Sequence, residues 1–140
     1  MLVVTDEVLC HCLDRGTARF RTFPGHSEQV SPARHFVREV LGDRPCTADA
    51  MLLTSELATN AVVHTASGDG GSFRVTVRQV PALVRVEVSD GGSSAVPAVN
   101  PGERLAPSGR GLLLVAQLAS RWGHRDGPDG RVVWCELDCP

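Results

Sequence analysis

Residues 51–66 read MLLTSELATNAVVHTA and decide the fold, because they predict a long helix that carries polar residues among its apolar ones. Thr47 is a good N-cap for this helix, which we expect to run to about Ala66. When successive residues are placed about 100° apart around the helix axis, Glu56 and Asn60 both fall inside the arc of apolar side chains. Glu56 lies near the centre of that arc. Because burying an unpartnered charge costs several kcal/mol, two polar groups one turn apart indicate a pocket in the core face.

The two polar side chains suit different chemistry. Glu56 is a residue type that serves as a general base, and the Asn60 carbonyl is a hard oxygen ligand suited to Mg²⁺. The alternative for Glu56 is a side chain that is capped or reaches solvent at the edge of the arc. His64, one turn further along, favours a hydrogen-bonded structural role when it is considered alone.

The chain before this helix predicts a strand and a first helix. Weak alternation over Thr17–Phe23 predicts the strand, and residues 1–16 show no period and are expected to form a loose leader. Ser31-Pro32 is typical of an N-cap followed by proline at the first helical position, with an earlier start at Ser27 left open. Gly42 predicts the end of that helix.

A hairpin follows the long helix. The alternating stretches FRVTV (73–77) and VRVEV (84–88) predict two antiparallel strands. Strict alternation places Asp90 on the same buried face as the valines before it. A carboxylate there suits recognition of an exocyclic amine, and Gly92 lets another group approach the backbone. The alternative is an aspartate that only forms a turn.

The last third of the chain predicts a loop, a helix and two strands. Residues 91–108 lack periodicity, and long loops of this kind are typically lids or binding segments. The sequence SGRG (108–111) precedes an apolar helix that ends near Ser120, and free N–H groups at such a start bind anions. The alternative for this glycine-containing segment is a flexible hinge for the loop that precedes it. Strands are expected at about 121–126 and 131–138. Antiparallel strands with helices on one face predict an α/β two-layer sandwich.

The amino-acid composition excludes several kinds of partner and mechanism. A chain of 140 residues with 42% hydrophobic and 21% charged residues is one globular domain. A net charge of −2 argues against nucleic acid as a partner, and no apolar run is long enough to span a membrane. With no basic, signal-like N-terminus, the protein is expected to be cytoplasmic. Because the chain lacks lysine, any bound phosphate must be held by arginine, backbone N–H groups or a metal.

The five cysteines do not form a regular framework. Their odd number and the missing export signal make disulfides unexpected, so reduced thiols are predicted. The alternative is a zinc site, although the spacing is not that of a common zinc module. The residues of that alternative are Cys10, His11, Cys12, Cys135 and Cys139.

Taken in order, the motifs resemble the GHKL ATP-binding fold. Glu56 and Asn60 match its N box, Asp90-x-Gly92 its G1 box and Gly109-x-Gly111 its G2 box. The stretches ELATNAVVH, VEVSDGG, GRGLLLV and VVWCEL, with the opening RTFPGHSEQVSPARHFVREVL, are similar to bacterial anti-sigma-factor serine kinases over about residues 17–138. The resemblance implies one domain over 17–140, a mixed, mainly antiparallel sheet covered on one face by helices, and an ATP lid at about 91–108.

The resemblance also implies a role for each motif. Asp90 would accept the adenine amino group, Asn60 would ligate Mg²⁺, and Glu56 would orient or deprotonate the attacking hydroxyl. Gly109, Arg110 and Gly111 would wrap the phosphates. The implied ATP-binding residues are Asn60, His64, Asp90, Gly92, Ser108, Gly109, Arg110, Gly111 and Leu112.

The function implied is that of an ATP-dependent serine/threonine kinase. It would phosphorylate an anti-anti-sigma protein, bind a sigma factor in alternation and form a homodimer, without nucleic acid or membrane. The alternative is a non-catalytic, nucleotide-gated binding module, which is favoured by the short lid and by Ser94 in place of the second glycine of D-x-G-x-G. A small α/β domain without a ligand is the third reading.

Overall fold

The protein is described by a computed structural model over residues 17–64, 71–90, 114–127 and 130–140. The expected leader (1–16) and lid (91–108) lie outside these ranges. The element order matches the order expected from the sequence. The elements are β1 (Thr17–Pro24), a 3-10 turn (Ser27–Gln29), α1 (Val30–Leu41), α2 (Thr47–His64), β2 (Ser72–Val80), β3 (Leu83–Asp90), a short helix over residues 114–118, β4 (Arg121–Gly127) and β5 (Gly130–Asp138).

The strands form one sheet in the order β1-β2-β3-β5-β4, and every neighbouring pair is antiparallel. Strands β2 and β3 form the predicted hairpin, in which Val80 pairs with Leu83. Gly130, which opens β5, has a φ of 123°, a conformation that a side chain disfavours. The two-layer prediction is confirmed, but the described strands are antiparallel throughout rather than forming the mixed, mainly antiparallel sheet that the resemblance implied.

One face of the sheet carries the hydrophobic core. Val84, Val86 and Val88 of β3 are buried on this face, as their alternation predicted. Both long helices pack here, together with the buried residues Phe23, Phe36, Leu53, Leu57, Phe73, Val75, Val77, Val115, Cys135 and Leu137. None of the helices in the described ranges is long and apolar enough to cross a membrane.

The start of α1 differs from its prediction. The helix begins at Val30 with Gln29 as its N-cap, so Ser31 and Pro32 lie within the first turn. Proline fits there because the N–H groups of a first turn have no partner within the helix. The other end agrees with the prediction, since Gly42 follows the helix with a φ of 62° and donates to the Arg38 carbonyl over 2.8 Å.

The start of α2 also corrects a detail. The Cys46 carbonyl accepts the first helical hydrogen bond from Ala50 over 2.8 Å, so Cys46 occupies the cap position. The Thr47 hydroxyl instead donates to the Gly42 carbonyl over 2.8 Å and accepts from the Arg44 N–H over 3.1 Å. Thr47 thus ties the α1–α2 loop together rather than capping the helix.

The opposite face of the sheet holds a packed layer of charges. Arg85 and Glu136 have no exposed surface, and their side chains pair at 3.6 Å across β3 and β5. The Arg85 guanidinium lies 4.3 Å from the centre of the Trp134 ring and 3.2 Å from a Glu87 oxygen. A Cβ at Gly123 would lie 2.9 Å from the same ring, which is too close for a normal contact. Only glycine at this position leaves room for the indole. The indole therefore helps to cover an ion pair that the alternation had placed on the outward side.

Candidate functional site

The position of α2 on the sheet determines which polar residues meet. Its first residue follows Cys46, which is disulfide-bonded to Cys139 just beyond β5. Close by, the Arg44 guanidinium donates to the carbonyls of Val80 and Pro81 over 3.0 and 2.8 Å. The beginning of α2 therefore lies at the β2–β3 turn. Because 18 helical residues span about 27 Å, the helix runs the length of the sheet.

The last half of α2 consequently lies at the other end of the sandwich, where β3 ends in Asp90. Phe73, at the start of β2, pairs with Asp90 there, and only a short connection separates β2 from the end of α2 at His64. The fold thus brings the end of α2 and the end of β3 to the same end of the sandwich, and Glu56 and Asn60 lie in the half of α2 that leads there.

Asp90 is buried on the helix-facing side of the sheet, with 6% of its surface exposed. Its Oδ1 accepts a hydrogen bond from the backbone N–H of Arg131 over 3.2 Å, at the start of β5. The alternation of β3 predicted this burial. It did not predict Arg131, because no local pattern shows that β5, rather than β4, lies beside β3. A buried carboxylate held in this way is a fixed acceptor, as recognition of an amine requires.

Glu56 and Asn60 lie at the border of the packed face of α2, and both are half-buried. The prediction that Glu56 lies near the centre of the apolar arc is wrong, because Leu52 and Val63 on that side are 42% and 62% exposed. From residue 50 onwards, the buried residues of α2 lie further round the helix, and four of the six are alanine or threonine. They are Ala50, Leu53, Thr54, Leu57, Ala58 and Ala61.

Thr54 shows why hydrophobicity alone misplaced this face. It is fully buried, but its hydroxyl donates to the Ala50 carbonyl one turn earlier over 2.7 Å, so its burial leaves no unmet donor. The predicted arc was weighted by the larger apolar residues, whereas the buried face also contains alanine and threonine. Glu56 and Asn60 are therefore partly accessible, a position from which side chains can contact a bound ligand.

The remaining predicted site residues lie wholly or partly outside the part of the chain that the structure describes. His64 is the last residue of α2, and its side chain lies outside the description. The helix over residues 114–118 lies within the range predicted for the third helix, directly after the glycine-containing segment. The other residues of the predicted site lie outside the described ranges, and they are Gly92, Ser108, Gly109, Arg110, Gly111 and Leu112.

The cysteines depart from both readings made from the sequence. Cys46 and Cys139 form a disulfide with 5.3 Å between their Cα atoms, so the expectation of reduced thiols is wrong for this pair. Cys139 is thereby also removed from the zinc alternative. Cys135 is a free thiol, and its complete burial raises its pKa to about 12. Within the described part of the chain, no three His, Cys, Asp or Glu side chains are placed to hold a metal ion.

Comparison with known proteins agrees with this geometry. The model of the histidine kinase-like ATPase domain family matches residues 23–136, and the chain belongs to that family. An uncharacterized protein of Streptomyces coelicolor is 33% identical over 89 residues, which cover 56% of this chain and 78% of that protein. Family membership makes this an ATP-binding domain.

Proposed function

We propose that the chain is an ATP-dependent serine/threonine protein kinase of the anti-sigma-factor type. It phosphorylates an anti-anti-sigma protein and binds a sigma factor in alternation, which makes the cytoplasm its place of action. The observation that carries the proposal is the buried Asp90 carboxylate, fixed by Arg131 at the end of the sandwich where α2 carries Glu56 and Asn60. The family match supports the ATP-binding part of this proposal.

Asp90 supplies the base recognition. Its Oδ1 accepts the Arg131 N–H, and a buried carboxylate is an acceptor of the kind that recognises the adenine amino group. Guanine presents a carbonyl oxygen at the corresponding position, which a carboxylate repels. The residue thus selects ATP over GTP.

Asn60 and Glu56 act on the phosphate end of the nucleotide. The Asn60 side-chain oxygen is a ligand for Mg²⁺, which neutralises charge on the phosphates when it is bound. Glu56, one helical turn before Asn60, accepts the proton of a serine or threonine hydroxyl of the partner protein. That oxygen forms a bond to the γ-phosphorus while the bond to the β-phosphate oxygen breaks and ADP leaves.

Nucleotide binding is tested by thermal unfolding with ATP and Mg²⁺. At 100 times Kd, ATP is expected to add about 2.7 kcal/mol to the free energy of unfolding. Asn60→Ala should weaken this effect sharply in the presence of Mg²⁺, because the metal loses its protein oxygen. Thr59→Ala is the matched control, since Thr59 is the exposed neighbour of Asn60 on the same helix. Equal ATP affinity in the two variants would remove Asn60 as a metal ligand.

Phosphotransfer is tested with Glu56→Gln, which keeps the shape of the side chain but removes its basicity. The variant should bind ATP within a few-fold of the parent and transfer phosphate about 100-fold more slowly. The acceptor is an anti-anti-sigma domain from the same organism, followed by mass spectrometry of its serine and threonine residues. Equal rates for parent and variant would reduce Glu56 to a positioning residue.

A second candidate is a nucleotide-gated binding module without phosphotransfer. The observation that favours it is the place of Glu56 at the half-buried border of α2, where a carboxylate needs no catalytic role to be tolerated. The two candidates separate in one assay. ATP binding with a change in partner affinity, but no transfer to any acceptor by the parent protein, would establish the module.

A further inference from the structure

We propose that Cys46 and Cys139 form a thiol–disulfide exchange site for low-molecular-weight thiols, with Cys46 as the reactive sulfur and Cys139 as the resolving one. The two residues lie 93 positions apart in the chain, and the fold brings their Cα atoms to 5.3 Å. One sulfur stands at the start of α2 and the other just beyond β5. Folding therefore creates a site that is absent from the unfolded chain.

Cys46 is the more accessible partner. Both residues are buried, but Cys46 keeps 6% of its surface and Cys139 keeps none, so we assign the Cys46 sulfur as the one that is attacked first. The Cys46 carbonyl accepts the first hydrogen bond of α2, which places the residue at the N-terminus of an 18-residue helix. The partial positive charge of a helix N-terminus stabilises a thiolate.

Arg44 adds a full positive charge to the same place. Its guanidinium donates to the Cys139 carbonyl over 3.4 Å and to the Val80 and Pro81 carbonyls. Nearby arginine is a second feature of reactive cysteines. Cys135 is the internal contrast, because its complete burial raises its pKa to about 12 and keeps it a neutral thiol.

The exchange proceeds in two balanced steps. In the oxidising direction, the Cys46 thiolate attacks a low-molecular-weight disulfide, which releases one thiolate and leaves a mixed disulfide on Cys46. The Cys139 thiolate then attacks the Cys46 sulfur, forms the protein disulfide and releases the second thiolate. The two protein thiols are oxidised and the small disulfide is reduced. Reduction follows the same path in reverse.

The physical consequence is a stability that depends on the thiol environment. The disulfide links the start of α2 to the end of β5, residues that are 93 positions apart in the chain. A crosslink between such distant residues stabilises a protein chiefly by restricting its unfolded chain. We expect reduction to lower the melting temperature by about 10 °C. The exchange chemistry is independent of the proposed kinase activity, so the test below contains no nucleotide.

The experiment uses the full chain with Cys10→Ser and Cys12→Ser, equilibrated with mixtures of reduced and oxidised glutathione. Alkylation and mass spectrometry count the free thiols, and thermal unfolding gives the melting temperature. We expect both readouts to change together across one redox transition. Cys46→Ser and Cys139→Ser should abolish the transition, and Cys135→Ala should retain it.

The order of attack is tested by trapping the mixed disulfide. With oxidised glutathione, Cys139→Ser should accumulate a glutathione adduct on Cys46, and Cys46→Ser should accumulate at least tenfold less on Cys139. A melting temperature that does not change with the glutathione ratio would overturn the site. Faster labelling of Cys139 would overturn the assignment of Cys46. If either serine variant fails to fold, the thiol count of the background protein still decides whether the site exchanges.

Discussion

The two ends of the sandwich are built in different ways. The clamped end, made of Arg44, Cys46, Thr47 and Cys139 around the β2–β3 turn, is held by a disulfide and several hydrogen bonds. The end that we propose to bind the nucleotide, called here the nucleotide end and made of Glu56, Asn60 and Asp90, presents polar side chains of which two are half-buried. One helix, α2, connects the two ends. The difference indicates that α2 is anchored to the rest of the fold at its beginning, and in the proposed function its other half contacts the ligand.

The largest effect is expected from Arg44→Met, which removes the central side chain of the clamped end. Arg44 donates to the Gln79 side chain over 2.9 Å as well as to three backbone carbonyls. Because hydrogen bonds from a charged donor are the stronger ones, we expect a loss of about 3 kcal/mol in the free energy of unfolding, measured by urea denaturation. ATP affinity of the folded variant should stay within a few-fold.

Arg34→Met is the matched control, since Arg34 makes an exposed hydrogen bond of 3.4 Å to Ser31 on α1. We expect it to cost less than about 0.5 kcal/mol. Equal costs for the two arginine variants would show that the clamped end carries no special share of the stability. A large loss of ATP affinity in Arg44→Met would show instead that the two ends are coupled.

Next in size is Asp90→Asn at the nucleotide end. The amide oxygen can still accept the Arg131 N–H, but the side chain loses the charge that repels guanine. We expect the preference for ATP over GTP to fall by about tenfold, which corresponds to about 1.4 kcal/mol. The measurement is the thermal shift of parent and variant with each nucleotide. Equal binding of ATP and GTP by the parent protein would contradict the role of Asp90.

A smaller effect is expected from Gly42→Ala, beside the clamped end. An added Cβ would have no atom within 4 Å, so the cost comes from the backbone alone, whose φ is 62° and ψ −141°. We expect about 1 kcal/mol of destabilisation in the same urea experiment, because few residues other than glycine adopt this conformation. A neutral result would mean that the α1–α2 loop adjusts its path.

The smallest effect is expected from Arg21→Ala on β1. Arg21 pairs with Glu39 at 3.6 Å and lies 4.9 Å from the Phe36 ring, but both charged side chains are about half exposed. Exposed ion pairs contribute little, so we expect a change of about 0.5 kcal/mol or less. A cost near that of Arg44→Met would mean that exposure does not distinguish the two arginines.

Much of the fold could be predicted because its signals are local. The alternation of β3 predicted both the inward valines and the buried Asp90, since neighbouring side chains of a strand point to opposite faces. The hairpin and the glycine after α1 also depend on neighbouring residues. The strand order places β5 between β3 and β4, so the contact of Asp90 with Arg131 depends on a pairing that no local pattern specifies.

The sequence predictions were wrong where the outcome depends on contacts between distant parts of the chain or on the sizes of packed side chains. Glu56 was expected near the centre of the apolar arc, but the buried face of α2 combines Leu53 and Leu57 with small residues and leaves Leu52 and Val63 exposed. The Cys46–Cys139 bond was unexpected because spacing in the chain says nothing about proximity after folding. Threonine is a residue type that often caps a helix, so Thr47 was expected to cap α2. Its hydroxyl instead donates to the nearby Gly42 carbonyl in the α1–α2 loop.

The two tryptophans lie on opposite sides of the sheet, which gives the protein two separate fluorescent reporters. Trp122 packs beside the hydrophobic core, and Trp134 stacks on Arg85 among the charges of the other face. The chain contains no tyrosine, so these two indoles account for its near-ultraviolet emission. Trp122→Phe therefore leaves a protein whose emission follows the charged face, and Trp134→Phe leaves one whose emission follows the helix-covered face. A spectrometer can thus distinguish which side of the sheet responds when a ligand or partner binds.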